Sequence, residues 1–207
     1  SGFQPSRDII ILFTGDEESN AHGARRAATE WRDLIDAEYA LNGDAGGGGV
    51  YKDGRVDAFY MQIAEKTYAD YKLVATNRGG HSSRPRPDNA IYALAGALKA
   101  IEDYRFKPMI NAATRAAYER EARSDKGMYG ELLKKYLADP TDRETADLLE
   151  INDPGYTRTR CVATMLAGGH AANALPQRAE ATVNCRIFPG VTIEAIRGEC
   201  SPLPGLT

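Results

Sequence analysis

Residues 164–190 read TMLAGGHAANALPQRAEATVNCRIFPG. In the second half of this stretch Ala181, Val183, Cys185 and Ile187 alternate with Thr182, Asn184 and Arg186. That period of two marks a strand with one face on a core. Pro189-Gly190 ends it. Upstream, residues 160–167 read as a second strand. The connection holds Gly168-Gly169-His170 and Asn173-Ala174-Leu175-Pro176.

Working outward, residues 60–77 are strand-like, with alternation at Tyr71, Leu73 and Ala75. Arg78-Gly79-Gly80-His81-Ser82-Ser83-Arg84-Pro85 is a loop. Asp88 reads as an N-cap, with Ile91, Leu94, Ala95, Leu98 and Ile101 on one helical face. Residues 105–157 are polar and helix-prone, with apolar points at Leu132, Leu133, Tyr136, Leu148 and Leu149, and read as a helical insertion. Thr192 caps a last helix, cut short by Ser201-Pro202-Leu203-Pro204-Gly205. The order is βαββα, one strand short of a ferredoxin-like split βαβ.

The N-terminal part has a different texture. Ile9-Ile10-Ile11-Leu12-Phe13 is a β-branched apolar run ended by Thr14-Gly15, the pattern of a strand buried on both faces in a parallel sheet. Ala24, Ala27, Ala28, Trp31 and Leu34 recur at helical spacing. Residues 37–41 read as a second strand, running into Asn42-Gly43-Asp44 and a glycine run. A strand–helix–strand unit predicts two parallel neighbours joined by a right-handed crossover. The expected fold is therefore α/β: a partial parallel unit over 1–57, then a ferredoxin-like α+β domain over 58–200. That second domain has an antiparallel sheet with helices on one face and the helical insertion at 105–157. Residues 201–207 form a tail.

The chain has 207 residues, with Lys+Arg 26 against Asp+Glu 29, a formal net charge of −3, and a pI of about 5.7. That balance excludes a nucleic-acid groove, which needs clustered positive charge. At 43% hydrophobic and 27% charged residues, the composition is that of a folded domain. The longest apolar run is Ile9–Phe13, far short of the roughly 20 residues of a membrane-spanning helix. Three cysteines are too few for a disulfide framework. Cys161 and Cys185 fall on strands and read as small core residues.

Four places could carry chemistry. Asp16-Glu17-Glu18 follows the first apolar run, at the sheet edge where open α/β sheets bind ligands. Three adjacent carboxylates repel, and a divalent metal would compensate them; the alternative is an acidic helix start. Asp44 follows the second strand of the same unit and would lie near Glu18; a flexible turn is the alternative. A phosphate cradle is disfavoured because no Gly-Lys-Ser/Thr follows the glycines. His81 sits in a Gly-Gly-His-Ser-Ser loop, suited to an oxyanion donor, an acid or base, or a partner of one. Asn173 and Arg186 offer amide and guanidinium groups for a carboxylate, against the alternative of a salt-bridged strand end. His22 and His170 read as surface residues, and no histidine pair has metal-ligand spacing.

Three stretches together resemble the co-catalytic metallopeptidase family of acetylornithine deacetylase, succinyl-diaminopimelate desuccinylase, aminoacylase and glutamate carboxypeptidase. They are DIIILFTGDEE (8–18), GGHSSRPRPDNAI (79–91) and residues 164–190. The wording of the last is similar to the carboxypeptidase S and N-acyl-amino-acid hydrolase branch. The resemblance implies a hydrolase that cleaves an amide bond in a small peptide or N-acyl amino acid, with a metal-bridged water as nucleophile. It implies two divalent metal ions, zinc, in the longer protein, and a lid domain that pairs two copies into a homodimer. By position, Glu17 would be the general base, Glu18 and Asp44 metal ligands, His81 an oxyanion stabiliser, and Asn173 and Arg186 holders of the substrate carboxylate. The family's remaining His and Asp ligands have no match here. The chain thus reads as a central piece, without a tightly bound metal and inactive by itself. A non-catalytic α+β interaction module is the alternative.

Overall fold

A computed structural model of the chain describes residue 2 and residues 4–44 and 46–204. It divides into two units, at Met61/Gln62.

The first unit holds α1 (His22–Thr29), α2 (Arg32–Ile35), β1 (Gly47–Val50) and β2 (Val56–Tyr60). The expected parallel strand–helix–strand is not formed. Residues 8–14 and 37–41 carry no strand, and Phe13 and Leu41 are 91% and 94% exposed. The physical reason is burial. A strand apolar on both faces persists only between neighbouring strands and under helices, and two five-residue strands alone cannot supply them. Ala27 is the one buried apolar residue among those described here. The glycine run instead enters an antiparallel hairpin, Gly47 opposite Tyr60 and Gly49 opposite Ala58. Gly54, at φ +83°, makes its turn.

The second unit holds β3 (Thr67–Thr76), β4 (Gly80–His81), α3 (Ala90–Asp103), α4 (Ala112–Ser124), α5 (Met128–Ala138), α6 (Arg143–Asn152), β5 (Arg160–Gly168), β6 (Ala174–Leu175), β7 (Arg178–Ile187) and α7 (Ile193–Cys200). Its sheet is antiparallel, in the order β3-β7-β5. The alternation read in β7 is the packing. Ala179, Ala181, Val183, Cys185 and Ile187 are all buried. Leu94 of α3 packs on Ala179 and Ala181, while Ile101 of α3 and Ile196 of α7 pack on Val183, Cys185 and Ile187. Both helices therefore cover one face. This is the expected ferredoxin-like α+β arrangement.

Two local expectations are corrected. Asn89, not Asp88, caps α3, its side chain accepting from the N–H of Ile91 and Tyr92; Asp88 is held by Arg86 at 2.8 Å. Cys161 and Cys185 are joined in a disulfide. They stand directly opposite each other in the β5–β7 register, a pairing that neither strand reveals when read singly.

The insertion is a three-helix body around Tyr118, Leu133, Tyr136 and Leu149. Tyr136 donates to the Met109 carbonyl at 2.7 Å, and the Met109 N–H donates to the Thr157 carbonyl at 2.7 Å. Arg158, fully buried, pairs with Asp147 of α6 at 2.8 Å. The insertion is thus fastened to the start of β5. Among the described residues, no helix is long and apolar enough to cross a membrane.

Candidate functional site

His81 is built by glycines. Gly79 has φ +72°, and a Cβ there would stand 2.7 Å from Gln177 Cγ and 3.2 Å from the Leu175 carbonyl oxygen, so only glycine fits. The loop then pairs with the segment after β5, Gly80 opposite Leu175 and His81 opposite Ala174. The Ser82 N–H donates to the Asn173 carbonyl at 2.9 Å. His81 and Asn173 are therefore brought to one place.

The His81 ring is oriented from one side. The Ser83 N–H donates to Nδ1 at 3.2 Å, and Ser83 Oγ lies 2.8 Å from the same nitrogen. An Nδ1 that accepts leaves the proton on Nε2, as assigned from this network. The exposed Nε2–H is then a free donor for negative charge. Asn77, which the sequence reading missed, organises the loop. Its Oδ1 accepts from the Gly79 N–H at 2.7 Å and its Nδ2 donates to the Asp88 carbonyl at 3.0 Å. The spacing Asn-x-Gly was the available signal.

Arg186 lies elsewhere. In the β3–β7 ladder, Arg178 faces Thr76 at the His81 end, while Arg186 faces Tyr68 at the other. Eight residues at about 3.4 Å each separate those ends by ~27 Å. One copy of this unit therefore does not bring Asn173 and Arg186 onto one small carboxylate, contrary to the expected joint grip. The Arg186 guanidinium lies 4.8 Å from the Tyr68 ring centroid. Tyr68 donates its hydroxyl to Asp70 at 2.8 Å, and Asn184 donates to the same carboxylate at 2.9 Å. These bonds, that of Asn184 first, hold the Asp70 carboxyl below its usual range.

In the first unit Asp16 is half-buried, while Glu17, Glu18 and Asp44 are exposed. Asp16 has a structural task, accepting from the N–H of Gly23 and His22 at 2.9 and 2.8 Å. Those backbone bonds, Gly23 first, lower its pKa. Glu17 and Glu18 occupy the turn that follows, and Asp44 lies in a bend closed by its own N–H to Asn42 Oδ1 at 3.0 Å. Among the described residues no three His, Cys, Asp or Glu side chains group to hold a metal ion. Glu18 and Asp44 belong to no such group among the described residues.

Residues 63–201 match the family profile of the peptidase dimerisation domain. The chain is 30% identical over 203 residues to a probable carboxypeptidase S-like 2 of Dictyostelium discoideum, covering 91% of this chain and 37% of that protein. It is 27% identical over 213 residues to the N-fatty-acyl-amino acid synthase/hydrolase PM20D1.1 of Danio rerio, covering 94% and 39%. It is 30% identical over 203 residues to carboxypeptidase S of Saccharomyces cerevisiae, covering 90% and 34%. The chain thus spans less than two-fifths of the length of these relatives. The matched span takes in the antiparallel sheet, both covering helices, the insertion and the His81 loop, and on that match the chain belongs to the M20 peptidase dimerisation domain family.

Proposed function

We propose that this chain is the lid and part of the catalytic domain of a metal-dependent hydrolase that cleaves an amide bond in an N-acyl amino acid or small peptide. The observation that carries the reading is the His81–Asn173 pairing within a dimerisation-domain sheet. His81 offers its Nε2–H to the oxyanion that develops on the scissile carbonyl. Asn173 binds the substrate beside it, and Arg186 receives a carboxylate. Glu17 is the base, and Glu18 and Asp44 are two of the ligands to a pair of zinc ions in the longer protein. By itself the 207-residue chain is inactive.

The dimer explains the separation of Arg186 from Asn173. Among the described residues β5 is an edge strand, paired with β7 on one side only, and Met165 and Leu166 on it are 68% and 70% exposed. Apolar edges of this kind pair with a second copy. A two-fold axis across β5 runs the two copies antiparallel. The Gly168 end of one, next to His81 and Asn173, then meets the Arg160 end of the other, next to Arg186. His81 of one subunit and Arg186 of its partner share a site.

The test is hydrolysis of a panel of N-acyl amino acids and dipeptides by a protein of the relatives' full length that carries this segment. Turnover that falls sharply in His81→Ala supports the reading. Turnover of neither substrate class, or full activity in His81→Ala, overturns it.

A further inference from the structure

The Arg186 end of the sheet carries more positive charge than the fold requires. Arg160 stands directly across the β5–β7 pair from Arg186, an arrangement of like charges that costs stability. Lys66 Nζ and Arg160 Cγ both lie within 4 Å of where a Gly155 Cβ would stand, so the lysine joins the pair. Lys66 also lies 3.5 Å from the Pro154 carbonyl and 5.4 Å from the Tyr156 ring centroid.

The carboxylates nearby leave these cations undersupplied. Glu150 of α6 accepts from the N–H of Gly155 at 2.8 Å, the N–H of Thr157 at 3.2 Å and Thr157 Oγ1 at 2.5 Å. It also pairs with Arg160 Nη1 at 2.7 Å. Glu150 is buried and engaged, and it occupies only one of the five N–H donors of Arg160. Asp70 accepts from Tyr68 and Asn184 and keeps its charge, which Arg186 stabilises. The carboxylates that act on these cations are Glu150, on Lys66 and Arg160, and Asp70, on Arg186, two against three. Burial first, then repulsion from Arg160 and Arg186, hold the Lys66 ammonium below the usual lysine range, against the attraction of Glu150.

We propose that Arg160 and Lys66 join Arg186 in one anion-binding platform that receives the carboxylate of a ligand, and that the insertion builds half of it. Glu150 fixes Arg160, and the return segment through Pro154 and Tyr156 frames Lys66. Two guanidinium forks beside an ammonium suit a planar carboxylate. The reading rests on Arg186 meeting a carboxylate and extends it to two residues outside that assignment.

The test titrates the 207-residue chain with hippurate, an N-acyl amino acid, and with its uncharged amide, following arginine side-chain N–H signals by NMR. Hippurate shifts the Arg160 and Arg186 signals and the amide does not. Arg160→Gln and Lys66→Met each weaken hippurate by about three- to fivefold, the scale of exposed charge pairs, while their melting transitions persist. If Arg160→Gln fails to fold, Arg160→Lys, which keeps the ion pair to Glu150, carries the test. If Arg186→Gln alone weakens hippurate, Arg186 keeps its role and the platform is wrong. If hippurate moves no arginine signal, both readings fall.

Discussion

The Ser82 N–H donates to the Asn173 carbonyl at 2.9 Å, fixing the His81 loop to a segment that lies some ninety residues later in the chain. This bond brings His81 and Asn173 together at one end of the sheet, with Arg186 at the other.

If the two ends meet across a dimer, active sites are shared. In a full-length protein carrying this segment, Glu17→Ala and His81→Ala subunits are each inactive. Mixing them restores part of the activity, because hybrid dimers hold one site with both residues intact. Hybrid dimers demonstrated by mass spectrometry but without turnover would disprove the trans role of His81.

If Glu17 is the base and Glu18 a metal ligand, the two divide their labour in the same full-length protein. Glu17→Ala abolishes turnover and leaves metal content nearly intact, while Glu18→Ala loses metal, since a base touches the water and a ligand touches the ion. Metal analysis of both variants decides it; equal loss refutes the division. Calorimetric titration of the 207-residue chain with zinc shows weak binding only, because two carboxylates do not close a site. A tight stoichiometric transition would overturn the ligand assignment.

The disulfide closes a sequence separation of 24 residues. Chain-entropy reasoning gives it about 3 kcal/mol. Cys161→Ala/Cys185→Ala therefore lowers unfolding stability by ~2–4 kcal/mol in denaturant titrations. Without reductant, the denatured chain titrates one thiol, that of Cys200; with reductant it titrates three.

Leu133 of the insertion is fully buried, in a cluster with Tyr118, Tyr136 and Leu149. Leu133→Ala costs ~2–5 kcal/mol through lost transfer energy and a cavity. Hydrogen exchange of α4, α5 and α6 reports the loss first, because these helices share a core of their own. Unchanged protection would mean that the cluster does not hold the insertion.

Tyrosines set an alkaline limit. Burial, then the hydrogen bond to Glu199, push the Tyr104 phenol up to about 12. Burial also pushes Tyr136 up to about 12, with Arg158 opposing. A folded-state pKa raised above the unfolded value of 10.0 contributes stability that is complete below pH 10.0 and is lost as pH rises to about 12. Absorbance at 295 nm therefore shows late tyrosine ionisation that coincides with unfolding in that window. Tyr136→Phe removes its share of the pH dependence. Early titration of every tyrosine would refute the buried arrangement.

Much of the second unit was legible in the residues. Alternation at Ala181, Val183, Cys185 and Ile187 is a local property, and it determined which face of β7 meets the helices. Thr192 was legible as a cap, since its side chain accepts from the Ala195 N–H at 3.1 Å, three residues on. Leu133, Tyr136 and Leu149 marked the core of the insertion. His81, Asn173 and Arg186 stand out as candidates by residue type and by their place in loops and at a strand end, and the resemblance gives each its role.

What the residues could not decide was relation at long range. Ile9–Phe13 states what a strand needs, not whether neighbours exist to cover it, so its exposure emerged only in three dimensions. Asp88 and Asn89 can each cap a helix, and the backbone turn at α3 selected the second. Cys161 and Cys185 became partners through the register of two strands. Glu150 met Arg160 because the insertion returns to the start of β5. His81 joined Asn173, and both parted from Arg186, because antiparallel strands bring some distant positions together and carry others to opposite ends. Periodicity and residue type act over a few residues and are readable there. Register, strand order and the meeting of distant loops follow from burying the whole unit at once, and only the tertiary structure decides them.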